Sequence, residues 1–472
     1  MARARIGVNR RKLLAGSAAT AALLAAPSMV RAQTGPPARK VPMRSSRDRL
    51  EEALARIADP NGEGARACLT VYAKAARNAA DAADARARAG TRLGPLDGTI
   101  ISIKDLFDVA GEPTRAGSKV LADAAPATAD APILRRLHQA GGVILAKTNM
   151  VEFAFSGIGL NPHYGTPGNP ADRARVPGGS SSGAAVAVVD GMCEIAIGTD
   201  TAGSTRIPAA LCGIVGYKPS KFRVPTEGAF PLSTTLDSVG PLSRSVADCA
   251  AADAVMAGDE PWAVEPQSFS GLRLGIVQGV ALKDLDQTVA TRFASAVDSM
   301  KRAGVRLSEE ALPILAEMAS VNAKASFSSV ESYAIHRQWL ATRAADYDPN
   351  VRARIELGRL VSRDDYKNMI RDRAALVRGM DARLADLDGL VLPTSPIVAP
   401  TIAEVSKSES FLPKNLLILR NTAFANFFDL CAISLPLPRE GGLPVGLMVM
   451  ARNGQDKKLV RIAAALERMF AA

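Results

Sequence analysis

Apolar and polar positions alternate around residue 100, with Ile101 and Ile103 set against Ser102 and Lys104, and this period of two predicts a strand within 99–109. Pro132 to Ala140 carries a helical spacing and leads into Val143-Ile144-Leu145, a second strand. The same alternation runs through the chain. Ala184 to Val189 reads as a short apolar helix, Cys193 to Gly198 and Leu272 to Val277 as strands, and Asp286 to Met300 as a helix with Val289, Phe293, Val297 and Met300 on one face, closed by Gly304. A helical block from 313 to 386 precedes strands at Gly389 to Leu392 and Val445 to Met450. A final amphipathic helix carries Leu459, Ile462, Ala463, Leu466 and Met469. Before all of these, Ser45-Ser46 can cap a helix whose apolar face is Leu50, Leu54 and Ile57, and an Ala/Arg-rich stretch from Ala65 to Ala89 reads as one further helix. No repeat and no linker divides 46–472. The pattern predicts a single large α/β domain, a central mixed sheet flanked by helices.

The first 32 residues depart from this pattern. They hold six basic and no acidic residues, the apolar run Leu13 to Ala26, and Val30-Arg31-Ala32 before Gln33, which together read as a cleavable export signal. Fourteen alanine-dominated residues are short for ~30 Å of hydrocarbon, so cleavage is favoured over an anchor. Arg10-Arg11 before Lys12-Leu13-Leu14 resembles a twin-arginine signal, with a chance Arg-Arg pair in a general secretion signal as the alternative. The reading places the mature protein in the periplasm or outside the cell, with 33–45 as a flexible tether and no stable membrane anchor. Of the formal net charge of +11, only +5 then remains, interspersed, and aromatics are 4 %, so a nucleic-acid surface is not indicated.

Five scattered cysteines (Cys68, Cys193, Cys212, Cys249, Cys431) lack C-x-x-C spacing, which argues against a disulfide framework or a zinc site. The three histidines, His138, His163 and His336, have no partner motif for a Ser-His-Asp triad, and no G-x-S-x-G elbow stands in the required context. A lysine base fits better. Lys104 ends the apolar strand Ile100-Ile101-Ser102-Ile103, so its amine is carried toward the core, where loss of water lowers its pKa; an ordinary lysine paired with Asp105 or Asp108 is the plainer alternative. Two glycine-rich bends supply serines. The first is Pro177-Gly178-Gly179-Ser180-Ser181-Ser182-Gly183, which alone could equally be a flexible loop. The second, Gly198-Thr199-Asp200-Thr201-Ala202-Gly203-Ser204, follows a buried strand and can turn the N–H groups of Thr201, Ala202, Gly203 and Ser204 toward one point, as a tetrahedral oxyanion requires. An anion or phosphate site would need similar donors, but no Walker pattern is present.

Pro177 to Ser220, reading P-G-G-S-S-S-G…G-T-D-T-A-G-S-T-R-I-P-A…C-G-I-V-G-Y-K-P-S, resembles the signature region of the amidase signature family. Gly94 to Gly98 with Lys104-Asp105, Ala146 to Met150, Asp237 to Pro241, Asp388 to Pro393 and Pro444 to Leu447 extend the resemblance over roughly 46–470. It implies a Ser-cisSer-Lys triad: Ser204 as nucleophile, Ser180 as bridging serine after a cis Gly179-Ser180 bond, and Lys104 as base. Ala154 matches a position where relatives contact bound ligand. Arg206 and Asp200 are expected to brace the loop. Ser182, Ala202 and Thr205 depart from the family pattern, and Ala202 matters only if it must adopt φ > 0, where a side chain adds strain.

The implied protein is an exported hydrolase of a small-molecule carboxylic amide, without metal or organic cofactor. Two alternatives stand beside it: an ammonia-releasing amidotransferase component of the A type, against which an export signal argues, and a silent ligand-binding member of the fold. A homo-oligomer is allowed. The block 313–386, with Phe327, Tyr333, Trp339 and Tyr347, and the segment 411–431 are expected to wall the pocket, although aromatics at helical spacing commonly belong to a core.

Overall fold

The computed structural model describes residues 44–471. The signal read at 1–32 and nearly all of the tether read at 33–45 lie outside them. Within the described residues eleven strands form one mixed sheet. In chain order they are β1 (Cys68–Val71), β2 (Ile100–Lys104), β3 (Val143–Thr148), β4 (Ile195–Asp200), β5 (Val215–Lys218), β6 (Ser238–Ser243), β7 (Arg273–Val277), β8 (Arg306–Glu310), β9 (Gly389–Pro393), β10 (Cys431–Pro436) and β11 (Gly446–Ala451). Their spatial order is β1-β3-β2-β4-β6-β5-β10-β11-β9-β7-β8. β3, β2 and β4 run parallel, as do β9, β7 and β8, while the strands between them pair antiparallel.

The period of two sorts β2 onto two cores. Ile101 and Ile103 pack with Leu134, Leu137, Ile195 and Ile197, whereas Ile100 packs on the other face with Leu50, Ala76 and the apolar helix Ser182–Val189. Lys104 shares the parity of Ile100, so it points to the face that carries this helix. That helix is buried along nearly its whole length because it is apolar all round.

Ser45 caps the helix Ser46–Ala58 by accepting from the Asp48 N–H at 3.0 Å, and Asp286 caps Gln287–Arg302. The single helix expected over 65–89 is instead broken. Gly64–Ala67 and Ala73–Ala89 are helical, and between them β1 pairs with β3, with Val71 opposite Ala146. Cys68-Leu69-Thr70-Val71-Tyr72 interrupts the alanine run with β-branched and aromatic residues that suit an edge strand. All five cysteines are buried and free, and the exposed His138 lies on the helix Pro132–Gln139. No helix among the described residues is long and apolar enough to cross a membrane, and no cluster there could hold a metal ion.

Candidate active site

Lys104 is the last residue of β2, an interior strand, and its side chain is fully buried. Its Nζ donates to Ser180 Oγ at 2.8 Å and to Thr199 Oγ1 at 2.9 Å, the latter on the parallel neighbour β4. Burial pushes the amine down to about 7, even though the charges of Asp200 and Asp237 pull the other way. A neutral amine, the form a base must take, is therefore within reach near pH 7. Two hydroxyls, rather than a carboxylate, hold the lysine, and the plainer pairing with Asp105 or Asp108 does not occur: Asp105 accepts from the Gly117 N–H, and Asp108 accepts from the Thr114 hydroxyl.

Ser180 precedes the helix Ser182–Val189, and the Gly179–Ser180 peptide is cis. Ser204 ends the second bend and faces a cavity of about 350 Å³, its hydroxyl free of any partner among the described residues. The two bends meet directly, because the Ser181 N–H donates to the Ser204 carbonyl at 3.3 Å.

Asp200 organises the second bend. Its carboxylate accepts from the Gly203 N–H (2.8 Å), the Thr205 N–H (3.1 Å) and hydroxyl (2.9 Å), Arg206 Nε (3.0 Å) and Nη2 (2.8 Å), and Asn426 Nδ2 (3.0 Å). Burial alone would raise this carboxyl, but the buried Arg206 guanidinium outweighs it and holds the group well below the usual carboxylate range. The bracing role expected of Asp200 and Arg206 is met. The oxyanion expectation needs one correction: the Gly203 N–H is consumed by Asp200 and is not free for a ligand. Those of Thr201, Ala202 and Ser204 meet no acceptor within the described residues. Gly203 is required there for another reason, since its φ is +134° and a Cβ would stand 2.2 Å from Thr422 Oγ1.

The three departures from the family pattern now have physical readings. Ala202 is not among the residues at positive φ, so its side chain costs no strain. Thr205 uses its hydroxyl on Asp200 and on the Tyr217 carbonyl. Ser182 buries a hydroxyl with no partner among the described residues.

Ala154 lines the same cavity as Ser204, at φ +59°. Segment 411–431 contributes Leu416, Leu419, Arg420, Ala423, Phe424 and Phe427, and the helical block contributes Leu315, Met318, Ala319, Asn322, Ser326, Ser328 and Arg354. Its aromatics do not take part. Phe327 packs against Phe427 and Tyr366, and Tyr347 bonds the buried His336, whose imidazole burial holds down to about 4. His163 instead meets Glu152 at 2.8 Å and hydrogen-bonds neither serine among the described residues.

Sequence reasoning missed Thr199, Thr422, Asn426 and Arg354. Thr199 sits inside the quoted motif, and its place one residue before Asp200 on a strand puts it on the face opposite Asp200, the one signal available. Asn426, some 220 residues away, gave none. Its side chain joins the carbonyl and carboxylate of Asp200 to Arg206 Nη2.

A mixed sheet that buries a lysine–serine pair at the end of an interior strand, with a second serine at the wall of a mostly apolar cavity, is the site of an α/β enzyme. Residues 48–460 match the family model described as amidase, and the chain belongs to that amidase (amidase signature) family of hydrolases acting on carbon–nitrogen bonds of amides. It is 37 % identical over 404 residues to 2-amino-5-chloromuconic acid deaminase of Comamonas testosteroni, covering 84 % of this chain and 86 % of that one. It is 34 % identical over 463 residues to the A component of glutamyl-tRNA(Gln) amidotransferase from Anaeromyxobacter dehalogenans (90 % and 93 %). A crystal structure of an amidase superposes with a TM-score of 0.81 at 33 % identity, covering 90 % of this chain and 96 % of that one.

Proposed function

We propose that the protein is an exported amidase that converts a carboxylic amide to the acid plus ammonia or an amine through an acyl-enzyme on Ser204, and that its substrates carry a carboxylate on the acyl side. The observation that carries the chemistry is the 2.8 Å bond from the buried Lys104 to Ser180, with Ser204 at the cavity wall. Neutral Lys104 takes a proton through Ser180 from Ser204, whose oxygen bonds to the amide carbon. The N–H groups of Thr201, Ala202 and Ser204 hold the oxyanion. The carbon–nitrogen bond then breaks, the proton returns to the departing nitrogen, and water releases the acid by the reverse sequence.

The carboxylate follows from the wall. It is mostly apolar, no acidic side chain lines it, and its charged groups are Arg354 and Arg420. Arg354 donates to the Phe155 carbonyl and lies over the Phe155 ring at 4.3 Å, with no carboxylate in salt-bridge reach among the described residues. Burial lowers it to about 10, so it stays cationic at neutral pH. An anionic substrate would supply the missing counter-charge. The name of the deaminase relative, an acid acting as substrate, is in keeping with this.

Ammonia release by the full chain from adipic monoamide and from hexanamide tests the reading. A kcat/KM at least tenfold higher for the monoamide, abolished with Ser204→Ala, is expected; equal rates would remove the carboxylate, and undiminished turnover by Ser204→Ala would remove the acyl-enzyme. Export is tested by cell fractionation with N-terminal sequencing, which should find a periplasmic or secreted chain beginning at Gln33. A cytoplasmic chain that retains residue 1 would favour the amidotransferase reading instead.

A further inference from the structure

The pocket-wall helices reach the second bend through a chain of polar contacts that the reaction scheme above does not use. Antiparallel pairing of β4 with β6 sets Asp200 opposite Ser238, so the next residues outward, Thr201 and Asp237, face each other. The Thr201 hydroxyl donates to Asp237 Oδ1 at 2.5 Å. The other oxygen of Asp237 accepts the N–H groups of Leu232 and Ser233, each at 3.0 Å, closing the loop 232–237 on itself. Leu232 and Leu236 of that loop line the cavity.

The loop is tied in turn to Glu331 on the helix Phe327–Arg343. This carboxylate accepts from the Ser233 hydroxyl (2.6 Å), the Thr235 hydroxyl (2.5 Å) and N–H (3.1 Å), and the Tyr366 hydroxyl (2.6 Å). No cation lies in salt-bridge reach of it among the described residues. A buried carboxylate satisfied wholly by hydroxyl and amide donors fixes geometry rather than balancing charge.

We propose that Asp237 is a positioning residue: through the Thr201 hydroxyl it holds the first N–H donor of the oxyanion bend in register with Ser204, and through its loop and Glu331 it couples that donor to the helices that form the pocket wall. The inference rests on the reading of Ser204 as nucleophile. An oxyanion donor acts only when charge develops on the carbonyl oxygen, so a displaced Thr201 N–H lowers kcat while ground-state binding is spared.

The test is steady-state hydrolysis of hexanamide by the full chain and by Thr201→Val, Thr201→Ser, Asp237→Asn and the Thr201→Val/Asp237→Asn double variant, with Ser204→Ala as control. Thr201→Val and Asp237→Asn should each lower kcat by about 10- to 100-fold with KM within twofold. Thr201→Ser, which keeps the hydroxyl, should remain within threefold of the parent. The double variant should be no slower than the worse single one, since both cut the same link. Multiplied losses in the double variant, or a parental kcat in Thr201→Val, would overturn the proposal. If Asp237→Asn fails to fold, the contrast between Thr201→Val and Thr201→Ser decides alone. An active Ser204→Ala would overturn the nucleophile reading instead, so the two failures are told apart.

Discussion

The floor and the wall of the cavity are built in different ways. The floor, β2, β4 and the two bends, is a set of buried polar groups in which the charged side chains are matched, Lys104 on two hydroxyls and Asp200 on six donors, while the N–H groups of Thr201, Ala202 and Ser204 are left open among the described residues. The wall, helices from 313–427, is apolar contact surface with two arginines that form no salt bridge among the described residues. Matched polar groups at low dielectric are rigid and costly to disturb, whereas apolar surface changes in small steps. In the proposed function the floor carries the reaction and the wall the choice of substrate, and substitutions should separate them.

The largest effect should come from Ser204→Ala, with kcat lower by about 10⁴- to 10⁶-fold on every amide, since the covalent route is lost. Lys104→Met should cost about 10²- to 10⁴-fold, the range of general base catalysis, with the fold retained because a buried amine is replaced by an apolar chain of similar length. Its thermal melt should match or exceed that of the parent. Arg354→Met should cost about 10- to 100-fold in kcat/KM on a carboxylate-bearing amide and change a neutral amide less than threefold. A loss of equal size on both would move Arg354 from the wall to the floor. Leu416→Ala, at a side chain 57 % exposed at the cavity, should raise KM for an apolar acyl group by about two- to fivefold and leave kcat alone.

The floor was more legible in the sequence than the wall. Lys104, Ser180 and Ser204 stand in compact motifs, and the apolar strand that Lys104 ends already carried its amine toward the core. What the motif could not reveal was competition for its donors: the Gly203 N–H looks free along the chain and is taken once Asp200 folds back on the bend. β6 escaped notice because Ser238–Ser243 contains glycine and proline, poor strand formers. Pro241 is accommodated because the β5 ladder stops at Leu242 and Ser243. β8, Arg306–Glu310, is polar and lies at the margin of the sheet beside β7, so no apolar alternation marks it; β5 and β10 pair with each other across a long stretch of chain. The wall aromatics show the converse. Phe327 and Tyr347, set among the expected pocket walls, pack into the core behind the cavity, and Leu315, Met318 and Arg354 line it instead.

The central claim is that Lys104, through Ser180, activates Ser204. The measurement is the rate at which a fluorophosphonate labels the full chain between pH 5 and 9, with the labelled residue located by mass spectrometry. A base must lose its proton to act, so labelling of Ser204 should rise about tenfold per pH unit below pH 7 and level off above it, following the depressed amine; Lys104→Met should remove that rise. Labelling at another residue, or a Ser204 rate that does not change across pH 7, would contradict it.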